Sequence, residues 1–248
     1  MANWQDPQTT GLGAATVSVP RAARDVGLRS YMLSVYNYMT SGVLLTGIIA
    51  LGVANSSLIN FIVNPATGQA TPLFWVALFA PLAIVFALSF GINRISAGTA
   101  QLLFWVYAAL VGVQFSSLFL VYTGVSIAQT FFAVAAAFAG LSLWGYTTKR
   151  DLSAMGSFLI MGVVGIFVAL LINMFLRSPA FDLAISAIGV LLFAGLTAYD
   201  TQKIKSIYFV VAGNGEATAK SAVMGALNLY LDFINMFLFL LRFMGNRR

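Results

Sequence analysis

The sequence predicts an all-α integral membrane protein with seven transmembrane helices. Hydrophobic residues make up 60% of the 248 residues, and charged residues make up only 8%. Roughly 25% of the residues in an average soluble domain are charged, so this chain has too few charges to cover a soluble fold. Apolar runs also recur at a length of about 20 residues, which a helix needs to cross the hydrocarbon core of a bilayer.

Seven apolar stretches have the required length. They are long and continuous, whereas the strands of a membrane barrel would be about ten residues long and alternating. The stretches cover residues 31–54, 73–92, 99–121, 125–146, 153–176, 181–203 and 223–243. The polar residues 1–30 are interpreted as an N-terminal tail, and residues 31–248 as one seven-helix transmembrane domain.

Prolines and polar residues separate these stretches. Pro72 precedes the second stretch and Pro179 the sixth, and proline favours a turn or a helix start over a helix interior. Residues 213–220 form the clearest polar connection. Aromatic residues near the predicted helix ends are interpreted as a belt at the membrane surface. They are Tyr36, Tyr38, Trp75, Trp105, Tyr107 and Trp144.

Basic residues predict a cytoplasmic N-terminus, because cytoplasmic loops are enriched in Lys and Arg. In this orientation only Arg177 lies in an outside loop before the C-terminus. The inside segments hold Arg21, Arg24, Arg29, Arg94, Lys149, Arg150, Lys203, Lys205 and Lys220. The C-terminal Arg242, Arg247 and Arg248 oppose this bias if the last helix crosses the membrane. Either the early loops set the topology, or the last helix does not complete its crossing, and the sequence leaves both open.

The composition also excludes several kinds of chemistry. The chain has no histidine and no cysteine, so it lacks the usual zinc ligands and the usual general base. Zinc-dependent and rhomboid-type membrane hydrolases are therefore excluded. The net charge of +6 is assigned to loops that face anionic lipid headgroups, and no nucleic-acid partner is expected.

Two aspartates lie inside predicted spans, where an unpaired ionisable side chain costs several kcal/mol. Asp232 lies about 13 Å along the predicted last helix, near the bilayer centre. Asn228 and Asn235 flank it at i−4 and i+3, which gives a polar stripe that must face protein or water. Asp200 lies late in the sixth span, close to Lys203.

Each candidate residue also has a purely structural interpretation. Asp200 and Asp232 would then only hydrogen-bond neighbouring helices, at about 0.6 kcal/mol per bond, which is small compensation for a buried carboxylate. Arg94, at the inner end of the second span, would only help to set the topology. The functional interpretation makes Arg94 a counter-ion for an acid of the sixth or seventh helix, because guanidinium pairs well with carboxylate.

Three segments resemble the Bax inhibitor-1 (transmembrane BAX inhibitor motif) family. Residues 229–243, LYLDFINMFLFLLRF, resemble the last helix of that family. Residues 195–204, GLTAYDTQKI, resemble its Tyr-Asp-Thr-Gln segment, and residues 147–152, TTKRDL, are similar to its fourth-to-fifth connection. The resemblance covers about residues 25–245.

The resemblance implies a fold in which six helices surround a central C-terminal helix, and it implies a pH-sensitive calcium leak. The two pore aspartates of the family fall on Asp200 and Asp232, and its arginine falls on Arg94 as a counter-ion or latch. Two carboxylates in a low-dielectric site resist double ionisation and titrate in coupled steps. Calcium prefers oxygen ligands, which Asp200 and Asp232 supply transiently with Asn228 and Asn235 as supporting polar groups. No other cofactor is expected.

Two other functions compete with a calcium leak. Intramembrane aspartyl proteases carry a Gly-x-Gly-Asp motif, but Tyr230 and Leu231 precede Asp232, so no enzyme is predicted. Some bacterial relatives are linked to a membrane-anchored ATP-dependent protease, and a regulator of such a protease could use residues 1–30 as a handle. The compact chain and the resemblance suggest a bacterial inner (cell) membrane.

The depth of the two aspartates leads to a specific prediction. If the sixth helix ends at Lys203, Asp200 lies only about 4.5 Å from that end, whereas Asp232 lies about 13 Å from its own. This difference in depth disappears if the sixth helix continues through residues 204–208. We therefore predict this continuation, with the two carboxyl groups within hydrogen-bonding reach in at least one state.

Overall fold

The computed structural model describes residues 21–64 and 67–247, with side chains from Asp25 onwards. The described part of the chain contains no β-strand, only two isolated bridges between Val63 and Ala70 and between Tyr122 and Arg247. A short 3-10 helix covers Ser57–Phe61. The α-helices are α1 (Arg21–Ala54), α2 (Pro72–Gly91), α3 (Ala97–Phe115), α4 (Leu118–Val121), α5 (Gly124–Thr147), α6 (Ser153–Leu176), α7 (Pro179–Val211) and α8 (Gly215–Met244).

The described residues contain seven spans that are long and apolar enough to cross a membrane, and the third of these, Ala97–Val121, joins α3 and α4. This confirms the predicted fold class. The predicted ends of α2, α5 and α6 agree with the structure to within a few residues. The predicted third span, 99–121, covers both α3 and the short α4, because the helix is interrupted at Ser116 and Ser117. Pro72 and Pro179 are the first residues of α2 and α7, behind the capping side chains Thr71 and Ser178, because proline at the first helical position removes no helical hydrogen bond.

Three helices extend beyond their predicted spans. α1 begins at Arg21, ten residues before the predicted span, so the predicted tail overlaps its first turns; residues 1–20 of the tail lie outside the described residues. α7 continues to Val211, which confirms the predicted continuation of the sixth helix through residues 204–208.

The polar connection predicted at 213–220 is wrong, because α8 already begins at Gly215. The Asn214 side chain caps this helix by accepting from the Ala217 N–H at 3.0 Å. Glu216 pairs with Lys220 one turn later at 3.3 Å. A capping residue and an (i, i+4) ion pair stabilise a polar helical turn, so the polar composition of this segment does not make it a loop.

α8 is the most buried of the long helices. Within its apolar span 67% of the residues are buried, against at most 33% in the other six. It packs on α7, α1, α5 and α3, whereas α2 packs mainly on α3, and α6 on α7. The residues of α8 therefore meet protein on most sides, while helices such as α6 present apolar side chains outwards.

The two ends of α8 lie at opposite ends of the bundle. At its start, Glu216 accepts a hydrogen bond from the Ala97 N–H at 2.8 Å, beside the α2–α3 connection. At its end, the Asn246 carbonyl accepts from the Thr123 N–H at 3.1 Å, at the α4–α5 connection. The last helix therefore runs through the whole bundle, which favours a complete crossing over a partial one. Near this end Arg242 pairs with Asp182 of α7 at 3.8 Å.

Candidate functional site

Asp232 lies in the interior half-way along α8. About 25 Å of helix precede it and about 18 Å follow it, at 1.5 Å per residue. The residue is only 4% exposed, and its Oδ2 has no hydrogen-bond partner among the described residues. An isolated buried carboxylate is costly, and buried polar atoms normally have partners, so this orphaned oxygen marks Asp232 as the leading functional candidate.

The other two residues of the predicted stripe differ from Asp232. Asn235 is half-buried and donates from Nδ2 to the carbonyl of Leu231 on its own helix at 2.8 Å. Asn228 is half-buried one turn before Asp232. Asn235 is thus satisfied within α8 and does not hydrogen-bond to the Asp232 carboxyl group.

Asp200 is half-buried on α7, which packs closely against α8. Because α7 continues to Val211, Asp200 lies about 16 Å from the end of its helix and no longer near a helix terminus. The contacts at two glycines define the register of the two helices. Gly225 lies against Ile204, and Gly189 lies against Phe239.

This register sets the relative depth of the two acids. α7 and α8 run antiparallel, so counting from these contacts places Asn228 level with Asp200 and Thr197 level with Asp232. The two aspartates are therefore about 6 Å apart along the helix axes, which is roughly one turn. No hydrogen bond joins their carboxyl groups in the described residues. Their predicted hydrogen-bonding reach in another state stays a prediction.

A chain of hydroxyl groups ends beside Asp200. Tyr36 of α1 lies 2.7 Å from the Ser142 hydroxyl of α5, which lies 2.9 Å from the Thr201 hydroxyl of α7. Thr201 donates to the Thr197 carbonyl at 2.7 Å, so Ser142 donates to Thr201 and Tyr36 to Ser142. The belt interpretation of Tyr36 is therefore wrong, because its hydroxyl links three helices inside the bundle.

A second buried hydroxyl pair holds α8 next to Asp232. Tyr230 is fully buried, and its hydroxyl lies 2.6 Å from that of Thr46 on α1. The Tyr230 ring also packs edge-on against Tyr107, with ring centroids 5.5 Å apart. Tyr107 is 4% exposed and thus belongs to the core rather than to an aromatic belt. The sequence alone did not identify these hydroxyl groups as part of the site. Hydroxyl residues inside apolar spans, such as Thr46 and Ser142, could have indicated them, because a hydroxyl group needs a hydrogen-bond partner there.

Arg94 is exposed in the turn after α2 and is not brought to either aspartate. This turn leads to Ala97, which bonds to Glu216 in the first turn of α8. Asp232 lies about 24 Å further along α8, beyond the reach of an arginine side chain. The ion pairs found in the described residues are Lys220–Glu216 and Arg242–Asp182. A counter-ion role for Arg94 stays a prediction, for a state with a different arrangement.

Comparison with known proteins identifies the family. The family model described as "Inhibitor of apoptosis-promoting Bax1" matches residues 28–248. The chain belongs to the Bax inhibitor-1 family. Its seven candidate spans make it an integral membrane protein. The resemblance of residues 195–204 and 229–243 is thereby confirmed, and the match includes every candidate site residue.

Bax inhibitor-1 family relatives of similar length occur in several bacteria. An uncharacterized protein of Rickettsia prowazekii is 50% identical, covering 90% of this chain and 92% of the relative. The inner membrane protein YbhL of Escherichia coli strain K12 is 46% identical, covering 92% and 95%. An uncharacterized membrane protein of Streptococcus pyogenes is 37% identical, covering 89% and 94%. The chain and each of these relatives thus match over nearly the whole length of both proteins.

Proposed function

We propose that this protein is a pH-sensitive calcium leak channel, gated by protonation of Asp200 and Asp232. The observation that carries the proposal is the buried Asp232 carboxyl group, whose Oδ2 has no partner in the described residues. It lies about one helical turn from the level of Asp200 on the packed helix α7. A group that only joined helices would have its hydrogen bonds satisfied. An unsatisfied acid at the centre of a span is instead typical of an ion or proton pathway.

Protonation changes the electrostatic force between α7 and α8. Two ionised carboxylates in a low-dielectric site repel each other, so the pair shares a proton and titrates in coupled steps. Asp200 has a cation on its own helix, Lys203, three residues further along the chain. A change of pH therefore alters the force between the two helices at the level of the pair.

Calcium is the proposed ion because the site offers oxygen ligands. The carboxylates of Asp200 and Asp232 and the amide oxygen of Asn228 are the kind of hard donors that calcium prefers. High-affinity calcium sites use six to eight oxygen ligands, and no group of three or more acidic, histidine or cysteine side chains suited to hold a metal occurs in the described residues. The donor set suits transient contact during passage rather than a resident ion.

The test is calcium flux into liposomes that contain only the purified protein, measured from pH 5 to pH 8. We expect Asp200→Asn and Asp232→Asn each to flatten the pH response, because either change removes the mutual repulsion of the pair. Asp182→Asn is the matched control, since it removes an acid of α7 that lies at the far end of the bundle, beside Arg242. Its pH profile should match that of the wild type. Asp232→Asn protein with an unchanged pH profile would refute the gating proposal.

The same liposomes separate the leak from a role that needs a partner. They contain no protease and no substrate, so flux in them requires neither an enzymatic activity nor a membrane-anchored protease. Deletion of residues 1–24 should leave the flux unchanged, whereas binding of a protease through the tail would be lost.

We also propose the bacterial inner membrane as the location, with the N-terminus in the cytoplasm. The name of the Escherichia coli relative, an inner membrane protein, supports this location. The start of α1, the α5–α6 connection and the start of α8 lie at the same end of the bundle. This end carries basic residues such as Lys149, Arg150 and Lys220, which supports the proposed orientation.

A further inference from the structure

A groove runs along the bundle between α1 and α5. Both helices pack on α8, but they barely contact each other, so a cavity of about 640 Å³ opens between them with Phe233 of α8 on its floor. A second cavity of about 260 Å³ shares Val43, Phe131 and Phe233 with the first and continues the depression towards Gly124. The two cavities together are called the α1–α5 groove.

The walls of the groove are apolar except at one end. Arg29, near the start of α1, is the one cation among the residues that line the first cavity, and none of these residues is acidic. Arg29 is exposed and forms no ion pair within the described part of the chain. A second cation lies close behind the same end, since Lys205 donates to the Tyr146 carbonyl at 2.8 Å and lies 4.9 Å from the centre of its ring. Asp25 lies one turn before Arg29 on α1, but the two form no ion pair in the described residues, so the Arg29 guanidinium is available to an anionic group.

The dimensions of the groove match a lipid chain. From Arg29 to Leu44 the wall formed by α1 is about 22 Å long, whereas half of the hydrocarbon core is about 15 Å thick. The lips of the groove carry the exposed apolar side chains Leu33, Leu44 and Leu143, so the groove opens sideways into the bilayer. An acyl chain can enter from the membrane while its headgroup stays at the Arg29 end.

We propose that the α1–α5 groove binds one phospholipid of the leaflet at the Arg29 end. One acyl chain lies along α1 and α5 against Phe233, and the phosphate accepts hydrogen bonds from the Arg29 guanidinium, whose planar fork suits a phosphate group. Charge complementarity and the opening towards the bilayer select a phospholipid over a peptide or an uncharged ligand. This binding site does not depend on the proposed calcium leak.

The test measures bound phospholipid by native mass spectrometry of delipidated protein titrated with phosphatidylglycerol. Ala139→Phe fills the groove, because Ala139 lines it. Ala133→Phe is the matched control, since Ala133 is exposed on the same helix but lies outside the lining. We expect one tightly bound lipid in the wild type and in Ala133→Phe, and its loss in Ala139→Phe. Equal binding by the two Phe variants would overturn the groove as the site.

The headgroup contact is tested with Arg29. We expect Arg29→Ala to weaken phosphatidylglycerol binding by about tenfold, the order of one charge-assisted hydrogen bond, and Arg29→Lys to weaken it less. Diacylglycerol with the same chains, which lacks the phosphate, should bind the wild type and Arg29→Ala equally. Unchanged phosphatidylglycerol binding by Arg29→Ala would overturn the phosphate contact. If Ala139→Phe does not fold, Ala135→Leu is a smaller change in the same wall. We expect Ala135→Leu to reduce phosphatidylglycerol binding, and unchanged binding by this variant would overturn the groove as the site.

Discussion

The hydroxyl pair of Thr46 and Tyr230 should contribute unequally to stability, depending on which partner is removed. Thr46 donates its one hydroxyl proton to the Ala108 carbonyl at 2.8 Å, so the Tyr230 hydroxyl must donate to Thr46 at 2.6 Å. Tyr230→Phe removes this bond but leaves Thr46 bonded to Ala108. The expected loss in the free energy of unfolding is about 0.6 kcal/mol, and at most about 1.7 kcal/mol, as for other hydrogen bonds inside membranes.

Thr46→Val has a larger expected cost. It removes the acceptor and leaves the Tyr230 hydroxyl without a partner in a fully buried position, which costs about 1–3 kcal/mol. In the double variant both hydroxyls are absent, so no orphan remains and its cost should be smaller than the sum of the two single costs. Thr40→Val, at an exposed position of the same helix, serves as the control and should change stability by less than about 0.5 kcal/mol.

The assay is reversible unfolding in mixed micelles, followed by far-ultraviolet circular dichroism for all four variants and the wild type. If Tyr230→Phe proves as costly as Thr46→Val, or if the two costs simply add, the inferred donor direction is wrong. The result matters for the site because Tyr230 lies two residues before Asp232, so this bond fixes the rotation of α8 that directs Asp232 into the interior.

Two further predictions concern helix packing and an exposed acid. A Cβ at Gly145 would clash with the Ala198 carbonyl of α7, so Gly145→Ala should lower the unfolding midpoint by forcing α5 and α7 apart, at a cost of about 1–3 kcal/mol. Gly140→Ala on the same helix meets nothing within 4 Å and should raise the midpoint slightly. Equal midpoints would contradict this packing argument. The Ser153 N–H donates to Asp151 at 2.9 Å, and this bond holds the pKa of the Asp151 carboxyl below its usual value. The ionised side chain therefore stabilises the fold at pH values above the unfolded-state pKa. This contribution is lost as the pH falls through the folded-state pKa. Asp151→Ala should therefore lower the thermal unfolding midpoint at pH 7 but not below the folded-state pKa, and a difference that persists there would exclude this hydrogen bond as the cause.

Hydropathy predicted the membrane-crossing part of each helix but not the helix ends. A span must be apolar only over the hydrocarbon core, which is about 30 Å thick. α1, α7 and α8 contain 34, 33 and 30 residues and are therefore about 45–50 Å long. Their ends pass beyond the hydrocarbon core, where polar side chains are satisfied by water, so the composition of these ends resembles that of loops.

The candidate site was only partly predictable for a different reason. The cost of a charge in a span singled out Asp200 and Asp232 from the sequence, and the (i, i+4) relation of Asn228 to Asp232 follows from helix geometry. The relative depth of the two acids instead depends on which residues of α7 and α8 touch, as at Gly225 and Ile204. Such contacts depend on side-chain packing across the whole bundle, which no local pattern encodes.

Different hydrogen bonds fix the helices next to the two aspartates. Next to Asp200, Gln202 accepts from the Leu152 N–H and donates to the Arg150 carbonyl, both at 2.8 Å, so this part of α7 is fixed to the α5–α6 connection. Next to Asp232, Tyr230 is bonded to Thr46 of α1. The two acids thus lie on helices with different neighbouring anchors, and the Tyr36–Ser142–Thr201 hydroxyl chain joins these anchors across α1, α5 and α7. In the proposed gating, a change in the protonation of the pair acts on α7 and α8 between these two anchors.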